Sequence, residues 1–218
     1  MFTAVSVTDQ THQRIVTVMA LAYIAGVIGL QLPALVPYFQ PLSPLNLVVS
    51  LILLLLYHTD WRRSFIFFAL LAIGVGYGIE VVGVHTGLVF GEYAYGAGLG
   101  PHLWAVPPVI GLNWLMLVYC CGSVCNPIRM HWLLKAALAA SMMVGLDYFI
   151  EPVAVQLDFW SWFGQDIPLQ NYVAWWLVSF GLFVVWFALP FRKENRLAPW
   201  LLGFQFLFFL GHSLLFWI

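Results

Sequence analysis

Apolar residues run along this chain in long unbroken stretches, separated by short segments that collect prolines, glycines and nearly all of the charge. A stretch of about 20 apolar residues is the length an α-helix needs to cross the hydrocarbon of a bilayer. The strict alternation of a half-buried strand is missing from these stretches. In lipid only helices and closed barrels satisfy every backbone group. Each run therefore predicts a helix: about Ile15 to Val36, Leu42 to Tyr57, Ser64 to Val84, Leu103 to Tyr119, Trp132 to Val153, Asn171 to Leu189 and Trp200 to Ile218. The pattern predicts an all-α, polytopic membrane protein, a bundle of about seven transmembrane helices in a single integral domain over residues 1–218. The first run carries no basic stretch at its start and is too long for a signal-peptide core, so it is expected to be a retained span.

Composition narrows the class further. Of the 218 residues, 63% are hydrophobic and 8% charged, with a mean hydropathy of +0.93, whereas soluble domains carry about 25% charged residues. A soluble globular protein is excluded, and no length remains for a second, soluble domain. Eight Lys and Arg against nine Asp and Glu give a net charge of −1, which removes the basic footprint that nucleic-acid binding requires. Cys120, Cys121 and Cys125 all fall in one apolar run and have no partner elsewhere, so they read as free thiols. The basic residues orient the chain: Arg14, Arg62, Arg63, Arg129, Lys135, Arg192, Lys193 and Arg196 all fall on one side of the predicted bundle. By the positive-inside rule that side is cytoplasmic, which places the N-terminus inside and the C-terminus outside, with the plasma membrane as the expected location.

Ionisable groups inside the spans are costly, about 2.5–3.5 kcal/mol or more at the bilayer centre, and so mark function. Three qualify: Glu80, Asp147 and Glu151. Counting about 1.5 Å per residue from the inner side places Glu80 and Asp147 at one depth in the outer half, and Glu151 stands one turn above Asp147 on the same face. No basic residue is predicted in that layer to neutralise them. Two carboxyl groups in a poorly solvated site do not both ionise cheaply, so one of them is expected to hold a proton at neutral pH. The plainer alternative is a scaffold of hydrogen bonds to Asn113, Gln205, His212 or Ser213. The Gly74 to Gly78 spacing beside Glu80 reads as tight helix packing, with a thin ligand along the glycine face as the alternative. Pro152 is expected to end or kink its helix and free the carbonyl of Tyr148. The outer segments Phe90-Gly91-Glu92-Tyr93-Ala94-Tyr95-Gly96 and Phe159-Trp160-Ser161-Trp162-Phe163 read either as an interfacial aromatic belt or as a mouth that grips an apolar polyene and shields a carbocation.

Other chemistries find no footing. The only lysines are Lys135 and Lys193, so the last helix has none to form the Schiff base of a retinal photoreceptor. The histidines His12, His58, His85, His102, His131 and His212 contain no pair three or four apart, so the clusters of membrane di-iron oxygenases are missing. No phosphate loop and no zinc spacing is present, and neither a metal nor another cofactor is expected.

With these residues in view, the sequence resembles the carotenoid-biosynthesis membrane proteins that hydrate the 1′,2′ double bond of acyclic carotenoid ends, the γ-carotene 1′-hydroxylase and bisanhydrobacterioruberin hydratase types. The resemblance runs from about Gly74 to Trp176. It is carried by Glu80, His85 and Thr86, Phe90-Gly91-x-Tyr93-x-Tyr95, Leu99-Gly100-Pro101, Pro107 and Trp114, then Asp147, Glu151-Pro152, Trp160-x-Trp162, Pro168, Asn171 and Trp175. The ends of the chain, before about Pro37 and after about Phe191, match only in being hydrophobic. The resemblance implies a carotenoid substrate (lycopene, γ-carotene or a related acyclic end) and no redox cofactor, since acid and water suffice. Chemical inference then nominates Asp147 or Glu80 as the acid, with Glu151 and Asn171 holding water. Substrate contacts are expected from His85, Phe90, Tyr93, Tyr95, Asn113, Trp114, Trp160, Trp162, Asn171 and Trp175. A lycopene-type cyclase, which begins with the same protonation, and a non-catalytic carotenoid or lipid carrier or transporter are the alternatives.

Overall fold

A computed structural model describes residues 7–164 and 166–216 of the chain. The helices are α1 (Asp9–Gln31), α2 (Val36–Phe39), α3 (Ser43–Leu56), α4 (Arg63–Thr86), α5 (Val109–Cys125), α6 (Trp132–Gln156), α7 (Leu169–Ala188) and α8 (Ala198–Phe216). The short α2 runs through a single 3₁₀ turn, Gln40–Leu42, into α3. Two three-residue strands, β1 (Tyr93–Tyr95) and β2 (Trp160–Trp162), form the sheet. Among the described residues six helical segments are long and apolar enough to cross a membrane, Val36–Leu56 counting as one. The protein is an all-α polytopic membrane protein.

The remaining helix, α5, has 17 residues, at the lower limit for a span. It is the centre of the bundle: it packs against α3, α4, α6, α7 and α8 and is buried nearly all round, as a helix apolar on every face should be. Its position corrects the expected Leu103 to Tyr119. Residues Leu103 and Val106 instead close a tight turn through Trp104 and Ala105, both at positive φ. The adjacent Pro107 and Pro108 have no N–H to give a helix interior, so the helix starts behind them.

The other boundaries moved for similar local reasons. Thr8 caps α1, its side chain accepting from the Thr11 amide, so α1 begins well before the apolar run does. It ends before Pro33, because the residue preceding a proline is pushed out of the helical region. Pro152 does not end α6, which continues to Gln156. At the far end, Ile218 lies outside the described residues.

The basic loops gather at one end of the bundle. Arg62 pairs with Asp60 and donates to the Pro190 carbonyl, the Arg192 amide donates to Asp60, and Arg196 pairs with Asp9. The opposite end carries the two strands. Of the glycines beside Glu80, Gly76 and Gly83 are the packed ones, since Trp114 fills the space a Cβ at Gly76 would need and Phe90 and Tyr93 crowd Gly83. Gly74 and Gly78 have nothing within 4 Å of a Cβ position, so the expected Gly74–Gly78 packing face is not a helix contact.

Candidate active site

The strands are antiparallel, with Tyr93 opposite Trp162, Ala94 opposite Ser161 and Tyr95 opposite Trp160. Because alternate residues of a strand share a face, the Tyr-x-Tyr and Trp-x-Trp patterns turn four aromatic donors the same way. They are aimed at the buried acids. Tyr93 and Tyr95 donate to Glu80 Oε2 at 2.6 and 2.9 Å, and Trp114 of α5 donates to Glu80 Oε1 at 3.1 Å. Trp160 and Trp162 both donate to Glu151 Oε2 at 2.9 Å. Asn171, in the first turn of α7, donates from one nitrogen to Glu151 Oε1 at 2.9 Å and to Asp147 Oδ2 at 3.2 Å. These aromatics therefore serve as ligands of carboxylates rather than as an interfacial belt.

Each glutamate accepts three donors, filling most of the roughly four positions a carboxylate offers. Asp147 accepts one, and its Oδ1 is buried without a hydrogen-bond partner among the described residues. Of the scaffold partners considered for these acids Asn113 faces the same cavity, while the other three pair elsewhere: the Gln205 amide donates to Met116 Sδ, His212 pairs with Gln31, and Ser213 donates to the Phe149 carbonyl. Burial, and after it the adjacent Glu80, push the Tyr93 and Tyr95 hydroxyls far above the usual phenol range, so both remain protonated donors. Among the described residues the ion pairs are the two at the basic end, and none involves the three buried acids. No group of three His, Cys, Asp or Glu side chains there is placed to share a metal ion.

Between the acids lies a cavity of about 30 Å³, room for one or two water molecules. Every nominated residue lines it except Asp147 and His85. Asp147 sits fully buried behind Asn171. His85 is exposed on the outer turn of α4, its Nδ1 paired with the Val81 carbonyl, and takes no part in the site. Trp114 and Trp175 stack at 4.4 Å to form part of the wall.

A second, apolar cavity of about 320 Å³ adjoins the first and shares Ile110, Asn113, Ile150 and Trp160 with it. It extends between α1, α3, α5 and α8, past Tyr23, Asn46, Leu117 and Gln205. Nothing in the sequence pattern marked this chamber. Its walls are mostly Ala, Leu and Phe, and the polar residues Asn46, Asn113 and Gln205 inside apolar runs are its visible trace.

Fold and site define a multi-pass membrane protein with a buried pair of carboxylates facing a water-sized cavity. Residues 42–217 match the carotenoid biosynthesis protein family, to which the chain belongs. The match reaches well past the segment from Gly74 to Trp176 and takes in α8. The chain is also 33% identical over 145 residues to the bisanhydrobacterioruberin hydratase of Haloarcula japonica, an alignment covering 58% of this chain and 47% of that protein. The chain thus aligns with about half the length of this relative. No solved structure matches.

Proposed function

We propose that the protein is a carotenoid hydratase that adds water across the terminal 1′,2′ double bond of an acyclic carotenoid end to give a tertiary alcohol. The observation that carries this reading is the junction of the two cavities. A water-sized compartment faced by Glu80 and Glu151 adjoins an apolar chamber across a shared wall of Ile110, Asn113, Ile150 and Trp160. Hydration needs an acid, a held water and an alkene end in one place, and this wall is where they meet.

In the reaction Glu80 gives its proton to C2′, and the π electrons form the new C–H bond, leaving a tertiary cation at C1′. The three donors on Glu80 stabilise the carboxylate left behind, which strengthens the acid as the charge develops. The ring faces of Trp160 and Trp175 stabilise the cation. A water held by Glu151 and Asn113 adds its oxygen to C1′ and passes a proton to Glu151, which returns it through water in the cavity to Glu80, so the sum is one water gained and no electron exchanged. Asp147 acts through Asn171 as a positioning residue. The substrate class is lycopene, γ-carotene or a carotenoid with the same acyclic end, and the plasma membrane is the proposed site of action.

The test is expression in a lycopene-accumulating host, followed by anaerobic incubation of the membranes in ¹⁸O-labelled water. A product heavier by one labelled water is expected. Pigment of unchanged mass but altered absorption would establish a cyclase instead, and oxygen taken from O2 would overturn acid hydration.

A further inference from the structure

The apolar chamber is shorter than its proposed ligand. Ile110 and Leu117 mark its extent along α5, about 10 Å at 1.5 Å per residue, whereas a C40 polyene is about as long as the hydrocarbon layer, ~30 Å, is thick. Most of such a molecule must remain outside while its end is inside, and the chamber must open where the rest can lie in lipid.

The packing of α1 shows where. This helix leans on α8, with the Tyr23 ring against Phe204 and Phe208, and on the short α2, where the Phe39 ring occupies the space a Cβ at Gly29 would need. Along the stretch between those two supports α1 and α3 form walls of the chamber, α1 presenting Ala25 and Gly26 and α3 presenting Ser43 and Leu47. The window is framed. Its lower edge is Tyr23, whose hydroxyl reaches Asn46 and Ser50 of α3, and its upper edge is the Phe39–Gly29 contact. The outer faces of both helices are apolar and exposed at Leu21, Ile24, Ile28, Leu45 and Val49, as lipid-facing surface should be.

We propose that this α1–α3 window is a lateral portal through which one end of a long apolar polyene passes from the lipid into the chamber, its remainder staying in the bilayer. The route rests on the hydratase reading for its ligand but is separate from the chemistry. It makes the protein a reader of chain ends that acts on one end at a time and does not measure total length. The competing route runs from outside, under the β1–β2 ribbon.

Two reversible locks separate the routes. The pair Ala25→Cys and Leu47→Cys places thiols on opposite walls of the portal, to be joined by a bis-methanethiosulfonate cross-linker, which forms a disulfide with each thiol, releases methanesulfinate and is reversed by reduction. The pair Ala94→Cys and Ser161→Cys, directly opposite in the ribbon and turned away from the acids, closes the ribbon as a disulfide. Uptake of added lycopene is read as pigment co-purifying with the detergent-solubilised protein, and hydration as product mass. The portal lock is expected to reduce both at least tenfold, with recovery on reduction, while the ribbon lock changes uptake less than twofold. Undiminished uptake by the portal-locked protein, or loss of uptake with the ribbon lock alone, would overturn the portal. Normal, lock-sensitive uptake without any hydrated product would leave the portal standing and overturn the hydratase reading.

Discussion

Single residues of the buried acid cluster differ in the number of donors they face. Glu80 and Glu151 hold three each and line the water cavity, while Asp147 holds one and lies behind Asn171. Glu80→Gln and Glu151→Gln keep shape but remove the transferable proton or its acceptor. Each is expected to lower hydration by the ~10²–10⁴ typical of lost general acid–base catalysis, with protein still accumulating in the membrane. Asp147→Asn, which touches neither cavity, should cost less than about tenfold in pigment turnover per folded molecule. That ordering departs from the one the sequence suggests, in which Asp147 ranks with Glu80. Helical periodicity does place Asp147 and Glu151 on one face, but it does not reveal that the Asn171 side chain shields the first and leaves the second open. His85 shows the same limit: five residues beyond Glu80 is close in sequence, yet the turn carries it onto the exposed face of α4.

Elements place those residues. The existence of the seven long helices was legible, though that of the short α2 was not, because unbroken apolar runs in lipid leave the backbone one choice. Boundaries were less so, and where they failed, capping and proline chemistry outweighed hydropathy, as at Thr8 and at Pro107-Pro108. The β1–β2 ribbon was not legible as a pair, because Ala94 and Ser161 are brought together across the two intervening helices α5 and α6. The strand patterns were visible, but only pairing turns all four polar tips toward the acids. On α4 the packed and open glycines make opposite predictions. Gly76→Ala drives a methyl into the Trp114 ring and should destabilise by about 1–3 kcal/mol, the usual cost of overpacking, loosening the Trp114 bond to Glu80 as well. Gly78→Ala meets nothing within 4 Å and should be neutral or stabilise by up to ~1 kcal/mol, since alanine relieves the conformational cost of glycine in a helix. Thermal unfolding of the purified variants in detergent distinguishes the two. Equal effects would mean that Trp114 does not pack on this face.

At the scale of the whole molecule, charge and acid site lie at opposite ends. The segments bearing Asp60, Arg62, Arg192 and Arg196 are tied together by direct contacts, so they share one side whatever the orientation in the bilayer. The aromatic ribbon and the acids occupy the other end. With cytoplasmic loops favouring Lys and Arg, the basic end should face the cytoplasm, and the buried acids then lie in the outer half of the bilayer. The short α5 fits this arrangement: at 17 residues it spans only if its ends are covered by protein, and the ribbon together with the turn at Leu103–Val106 covers the site end. Reporter fusions inserted after Arg63 and after Arg196 should therefore read cytoplasmic, and a fusion following Ile218 should read external. A cytoplasmic reading at the C-terminus, with the two basic loops also cytoplasmic, would require α8 to re-enter rather than cross. The chamber wall at Gln205 and Phe208 would then be built by a helix hairpinned within the outer leaflet, and the portal between α1 and α3 would lose the α8 support on which α1 rests.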